Sequence, residues 1–160
     1  MKYGPLTEDE KAIVFAVALA RHEDGWAVGR EDPRSAKSKH QALQMDVIGA
    51  AGEYVVSTVL KLPWNTELRE FKGDKADLEP NVEVKTSSYR SLTITDQDIE
   101  KNPDRPHVGV WFDQTTRTYE LLGFIQPKEL LTRDLIELPG GKRIGLHLKP
   151  EELHQLGGVS

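Results

Sequence analysis

Ala76-Asp77-Leu78-Glu79-Pro80-Asn81-Val82-Glu83-Val84-Lys85 is the stretch on which the fold of this chain turns. Glu79-Pro80-Asn81 has the composition of a short hairpin connection. Leu78 would then pair with Val82, and Asp77 would stand opposite Glu83. Strand alternation places Asp77, Glu83 and Lys85 on one face and Leu78, Val82 and Val84 on the other, which predicts an apolar face turned to the core. Two carboxylates opposite each other repel unless a positive charge lies between them. A divalent cation would supply it, since magnesium prefers oxygen ligands. The same Val-Glu-Val-Lys alternation also suits a half-exposed strand whose charges are simply solvated.

Upstream, helical spacing predicts a helix from about Gln41 to Leu62, ended by Pro63. Leu43, Val47, Tyr54, Val55 and Leu62 share its apolar face, and Asp46, Gly49 and Glu53 lie together on another. The segment Gly49-Ala50-Ala51-Gly52-Glu53 sets a carboxylate beside two residues without side chains. Glycine inside a helix costs about 1 kcal/mol against alanine. Two of them ask for a reason, either close approach of a neighbouring element or passage of a ligand backbone.

Further out, Thr7 and Glu10 have capping-box spacing and open a helix over about 7–24, with Gly25 as its stop. Residues 25–40 are poor in apolar side chains and carry Arg30, Arg34, Lys37, Lys39 and His40. They read as a mobile basic loop, or as a solvated surface loop in which Glu31 and Asp32 partly cancel the charge. After residue 68 the period becomes two. Short strands are expected at Asp77-Leu78, Val82–Lys85, Leu92–Ile94, Val108–Phe112 and Tyr119–Ile125. Pro127–Leu131 reads as a helical turn, Pro139-Gly140-Gly141 as a tight turn and Pro150–Leu156 as a short closing helix. The pattern is that of a single α/β (α+β) domain over 1–160, with a mixed or mostly antiparallel sheet flanked by helices.

The order of these parts resembles the PD-(D/E)XK nuclease superfamily, which includes restriction endonucleases and Holliday-junction resolvases. The matching residues are the helix carrying Gly49-Ala50-Ala51-Gly52-Glu53, then Asp77, then Glu83-Val84-Lys85 on the next strand. The match spans about 41–125, and Tyr119–Leu131, a strand followed by Gln126-Pro127 and a short helix, fits as well. Ala76 stands where the family's namesake proline would be. The resemblance implies a restriction-endonuclease-like fold and a Mg²⁺-dependent DNA endonuclease, with Mn²⁺ able to substitute. It implies Asp77 and Glu83 as metal ligands, joined by the Val84 carbonyl, with Glu53 beside the ion or reaching it through water. Lys85 would orient or deprotonate the attacking water, or offset charge on the phosphorane. Arg30, Arg34, Lys37, Lys39 and Ser87 are the candidate DNA contacts, Ser87 being equally ordinary as a strand-end residue. The compact size points to a structure-selective enzyme of recombination or repair, resolvase-like or phage-borne. A homodimer would suit the cutting of two strands.

Composition sets the limits around that reading. The net charge of −5, from 21 Lys+Arg against 26 Asp+Glu, argues against a protein that grips nucleic acid by bulk positive charge. It leaves room for a metal-dependent enzyme whose carboxylates are neutralised by an ion, and equally for a non-catalytic nuclease-fold protein that acts through protein partners. The chain has no cysteine, which removes thiol nucleophiles, disulfides and Cys-based zinc sites and fits a cytoplasmic setting. Its longest apolar run, Ala12 to Ala20, is too short to span a membrane. The histidines at 22, 40, 107, 147 and 154 lack ligand spacing and read mostly as surface residues. No phosphate-binding loop, dinucleotide fingerprint or nucleophile elbow is present, so no small-molecule cofactor is expected. Asp96, Asp98 and Glu100 could bind an ion but read first as an acidic loop or helix start. Trp111 reads as core, and Trp64 as either loop or core. Nothing in the chain reads a 2′-hydroxyl, so DNA is favoured over RNA.

Overall fold

The fold is taken from a computed structural model that describes residues 1–27, 39–68 and 72–159. Among the described residues it is mixed α/β, with three α-helices and two sheets. Strand β1 (Lys2–Tyr3) leads into α1 (Glu8–Ala27) and α2 (Lys39–Leu60). Then come β2 (Glu83–Ser87), β3 (Leu92–Thr95), α3 (Asp96–Lys101), β4 (His107–Asp113) and β5 (Thr118–Ile125). Strands β6 (Ile136–Glu137) and β7 (Ile144–Leu148) close the chain with short 3₁₀ turns.

The capping box forms as its spacing predicts. Thr7 N–H donates to Glu10 at 2.9 Å, and Glu10 N–H donates to the Thr7 hydroxyl at 3.2 Å. Glu10 also accepts from the hydroxyls of Tyr3 (2.6 Å) and Tyr54 (3.0 Å), so one carboxylate ties the start of α1 to β1 and α2. The helix runs past Gly25 to Ala27, because a lone glycine weakens a helix without obliging it to stop. Helix α2 begins at Lys39, so both ends of the expected loop are helical. Arg30, Arg34 and Lys37 lie outside the described residues.

The larger sheet has the order β1-β5-β4-β2 and is mixed: β2 runs parallel to β4, while β5 is antiparallel to both β4 and β1. Helices α1 and α2 pack against it over a core that includes Val14, Ala18, Ala51, Val55, Val56, Val108 and Val110. Leu78 and Val82 are fully buried there and Val84 packs against them, as the alternation predicts. A smaller antiparallel sheet, β3-β7-β6, encloses a second cluster around Leu92, Ile94, Leu130 and Leu148. Pro139-Gly140-Gly141 makes the turn between β6 and β7, where Gly141 N–H donates to Leu138 C=O. The Pro127–Leu131 turn appears as a 3₁₀ turn over Pro127–Leu130. The expected closing helix is two separate 3₁₀ turns, at Pro150–Glu152 and Leu156–Gly158. Among the described residues no helix is long and apolar enough to cross a membrane.

The hairpin is where sequence and structure part. Leu78 does pair with Val82, each N–H donating to the other's C=O at 2.9 Å, but pairing stops there. Asp77 turns its backbone the other way, its C=O accepting from Asn65 N–H at 2.9 Å. Its carboxylate takes the Val84 N–H at 2.8 Å in place of a ladder bond. Strand β2 gives its other edge to β4 in parallel. Asp77 and Glu83 are therefore neighbours through a side-chain bond rather than a strand pair.

Candidate active site: a carboxylate cleft between α2 and β2

Glycine positions decide how the site is assembled. A Cβ built at Gly52 would stand 1.8 Å from the Thr86 hydroxyl oxygen, so only glycine lets α2 lie this close to β2. A Gly52→Ala substitution therefore forces overpacking despite its better helix propensity. Its expected cost is about 1–3 kcal/mol in a urea titration. Thr86→Ala in the same chain should recover part of that loss, and an unchanged midpoint for Gly52→Ala alone would refute the packing role.

That close approach brings three carboxylates to one cleft of about 280 Å³, lined by Arg21, Glu53, Lys72, Asp77, Glu83 and Val84. Glu53 comes from α2, Asp77 from the segment before β2, and Glu83 from the first position of β2. Glu53 and Asp77 are buried, at 8% and 5% exposure. Burial, reinforced by the neighbouring Asp77 carboxylate, pushes Glu53 above its ordinary pKa against the pull of Arg21. Glu83 is raised by the same two causes, against the pull of His107 and Arg105. The sequence placed these three groups together, and in the fold they share one cleft.

Each carboxylate also has a cation that no local spacing announced. Arg21 of α1 donates to both oxygens of Glu53, at 3.0 and 3.2 Å, and to the Asn65 carbonyl. Trp64 Nε1 donates to Glu53 at 3.1 Å. Lys72 forms an ion pair with Asp77. Arg105 donates to Glu83 at 3.0 Å and to Asn81 at 3.0 Å. Arg21 lies 32 residues from Glu53 and Arg105 lies 22 from Glu83, so only tertiary packing could reveal them.

Lys85 sits two residues along β2 from Glu83, yet it does not line the cleft: its ammonium is ion-paired with Asp98. Asp98 is the N3 residue of α3, where it closes a capping box with Thr95. The acidic run is thus a helix start, as expected, and it also holds the lysine. Burial disfavours the ionised Asp98, but the His107 ring, the Lys85 ammonium and the Thr95 N–H outweigh it and hold this carboxyl far below the usual range. His107 is buried beside Glu83 in register, with Nε2 3.6 Å from Asp98. Its Nδ1 lies 2.8 Å from the Arg105 carbonyl, which can only accept, so Nδ1 carries a hydrogen. His22 is buried as well, its Nδ1 3.0 Å from Asp46 of α2. His22 and His107 are therefore interior, each with a carboxylate or carbonyl to satisfy it, while His40, His147 and His154 are exposed, so most of the histidines lie at the surface as expected. Trp111, expected in the core, is half-buried and donates to the Ser88 carbonyl at 3.1 Å.

The donors around the cleft are oxygens only, the kind a hard divalent cation takes. Among the described residues, however, no three of His, Asp and Glu are gathered closely enough to form a ready-made metal cluster. Lys72 and Arg105 now hold Asp77 and Glu83, and both would have to yield to an ion. The residues fit the ion in chemistry, with cationic side chains in its place. Of the expected DNA contacts, Lys39 opens α2, and Ser87 ends β2, where its hydroxyl accepts from Tyr89 N–H at 3.0 Å. No family model, curated protein or solved structure matches this chain.

Proposed function

We propose that this protein is a Mg²⁺-dependent DNA endonuclease with a restriction-endonuclease-like fold. One observation carries the reading: Glu53, Asp77 and Glu83, far apart in pairing terms, converge on a single cleft with two of their pKa values raised by crowding and burial. Active sites arrange burial and like-charge crowding to raise carboxyl pKa values in this way, as structural ion-pair networks also do. Asp77 and Glu83, with the Val84 carbonyl beside them, would hold the ion, with Glu53 behind them. Bound there, Mg²⁺ would supply an acidified water and charge for the phosphate oxygens.

The chain's own residues do the rest by position. Arg21 and Trp64 fix the Glu53 carboxylate. Lys72, displaced from Asp77, offers a cation at the cleft for the incoming phosphate. Lys85, two residues along β2 from Glu83 and outside the cleft's lining, would offset transition-state charge on turning towards the cleft from its pairing with an Asp98 carboxylate that stays ionised at neutral pH. An Asp98→Asn substitution should leave Mg²⁺ uptake intact and lower the cleavage rate roughly 10- to 100-fold through a misplaced Lys85. Equal rates for the two proteins would remove Asp98 from the mechanism.

A second reading has an observation of its own. Asp77, Glu83 and Lys85 are each closed in an ion pair, as they would be in a nuclease-fold protein that binds partners without catalysis. Incubation with plasmid, single-stranded and four-way-junction DNA in Mg²⁺, Mn²⁺ or EDTA separates the two, with calorimetric titration of Mg²⁺ alongside. Metal-dependent cutting with measurable metal uptake supports the enzyme and reveals its substrate. Absence of both leaves the partner-binding protein.

A further inference from the structure

A second cleft, of about 660 Å³, runs along the same α2–β2 seam, and no charged residue lines it among the described residues. In a chain that is 29% charged this is a distinctive surface. Its walls present the amides of Gln44 and Gln114, the ring of Tyr89, the thioether of Met45 and the bare backbone of Gly49. Tyr89 is 77% exposed, so its ring packs on little of the protein itself.

Gly49 makes the point sharper. Gly52, one turn away, is explained by the approach of Thr86, but a Cβ at Gly49 would meet nothing within 4 Å. The helix bears the cost of a glycine where its own packing does not ask for one. Among the described residues that position opens on free space in the wall of the second cleft. Amide and hydroxyl groups hydrogen-bond neutral edges, and aromatic rings and thioethers receive flat apolar faces. Phosphate would want cations instead.

The geometry points to a nucleobase-binding cleft that takes an unstacked base of the strand whose phosphate lies at the carboxylate cleft. This rests on the nuclease reading for its second half, the shared strand. The separation suits it: Gly49 and Gln44 lie roughly 6 and 14 Å along α2 from Glu53, and Ser87 lies about 13 Å along β2 from Glu83. The cleft would therefore select substrates with unpaired bases near the cut, and tolerate different bases because stacking reads a face rather than an edge.

The test is fluorescence anisotropy in EDTA, where binding is read without cutting. The probe is a short fluorescein-labelled single-stranded DNA, compared with copies carrying one abasic site moved along the strand. The wild-type protein should lose roughly tenfold in affinity at one or two positions of the abasic site. Tyr89→Ala should weaken the intact strand by a similar factor and bind the abasic copies alike. Gly49→Leu should raise Tm by about 2–4 °C through helix propensity, while filling the cleft and weakening the intact strand about tenfold. A flat abasic series, no measurable binding, or a Gly49→Leu variant with unchanged affinity overturns the proposal. Failure of the nuclease reading looks different: Mg²⁺ uptake and cutting are missing while the abasic positions still matter.

Discussion

Arg21→Ala is expected to destabilise the protein by about 3–5 kcal/mol, because it leaves the buried Glu53 carboxylate without its cation. For a chain of this length that is a drop on the order of 10 °C in Tm. The loss has a pH signature. Burial and Asp77 already raise Glu53, and removing Arg21 removes a group that opposes them. A carboxyl whose folded pKa is raised contributes its stability below the unfolded value of about 4.3, and that contribution is lost as pH rises through the folded value. The deficit of Arg21→Ala should therefore be small at acid pH, where Glu53 is protonated folded and unfolded alike, and grow as pH rises towards neutrality. Urea titrations of both proteins across that range read it directly. Replacing Arg21 and Glu53 together by leucine should recover most of the loss, as buried pairs exchanged for apolar residues commonly do. A deficit independent of pH would mean that Arg21 acts mainly through the Asn65 and Glu67 carbonyls it also reaches.

The second large effect is on chemistry. Asp77→Asn keeps an oxygen that can accept the Val84 N–H, so the turn before β2 should survive while the charge is lost. Glu83→Gln does the same at the start of β2. Each is expected to reduce Mg²⁺-dependent cleavage by roughly 10³-fold and to abolish the calorimetric signal of Mg²⁺ binding. Lys85→Met should separate the two readouts, keeping metal uptake while losing roughly 10²- to 10³-fold in rate. A protein in which all three variants cut as the wild type does has its active site elsewhere. If only Lys85→Met is inert towards rate, the lysine belongs to the Asp98 capping network and not to the reaction.

The local parts of this molecule were legible because local physics sets them. The Thr7–Glu10 box, the helical period of 41–62, the alternation of Val82–Lys85 and the turn at Pro139-Gly140-Gly141 all depend on residues within a few positions of one another. Gly52 was legible as a question, and Thr86 answers it. Gly25 misled, since a single glycine is a weak stop and helix ends depend on what the last turn packs against. Lys2–Tyr3, Ile136–Glu137 and Ile144–Leu148 escaped notice; the two-residue strands carry no period and exist only through their partners on β5 and β7, and Ile144–Leu148 pairs with β3 and β6 far off in the chain or across a turn.

The carboxylates of the candidate site were named from sequence, because Glu-x-Lys beside a solitary Asp and a glycine-flanked helical Glu is a pattern of spacing. Their partners were not. Arg21, Lys72, Arg105, Asp98 and His107 are ordinary polar residues until the chain closes on itself, and their roles come from distances of about 3 Å that spacing cannot encode. The parallel pairing of β2 with β4 is equally non-local, and it is what brings His107 alongside Glu83. By itself the sequence determined the long helices and most of the longer strands, which faces are apolar and which acids are candidates. Tertiary structure alone decided which cation neutralises which acid, that Lys85 is held by Asp98, and that a cleft lined, among the described residues, by uncharged side chains stands open beside Gly49. The reason is physical: periodicity records the burial of a face, whereas charge pairing in a low-dielectric interior depends on contacts between residues far apart in the chain.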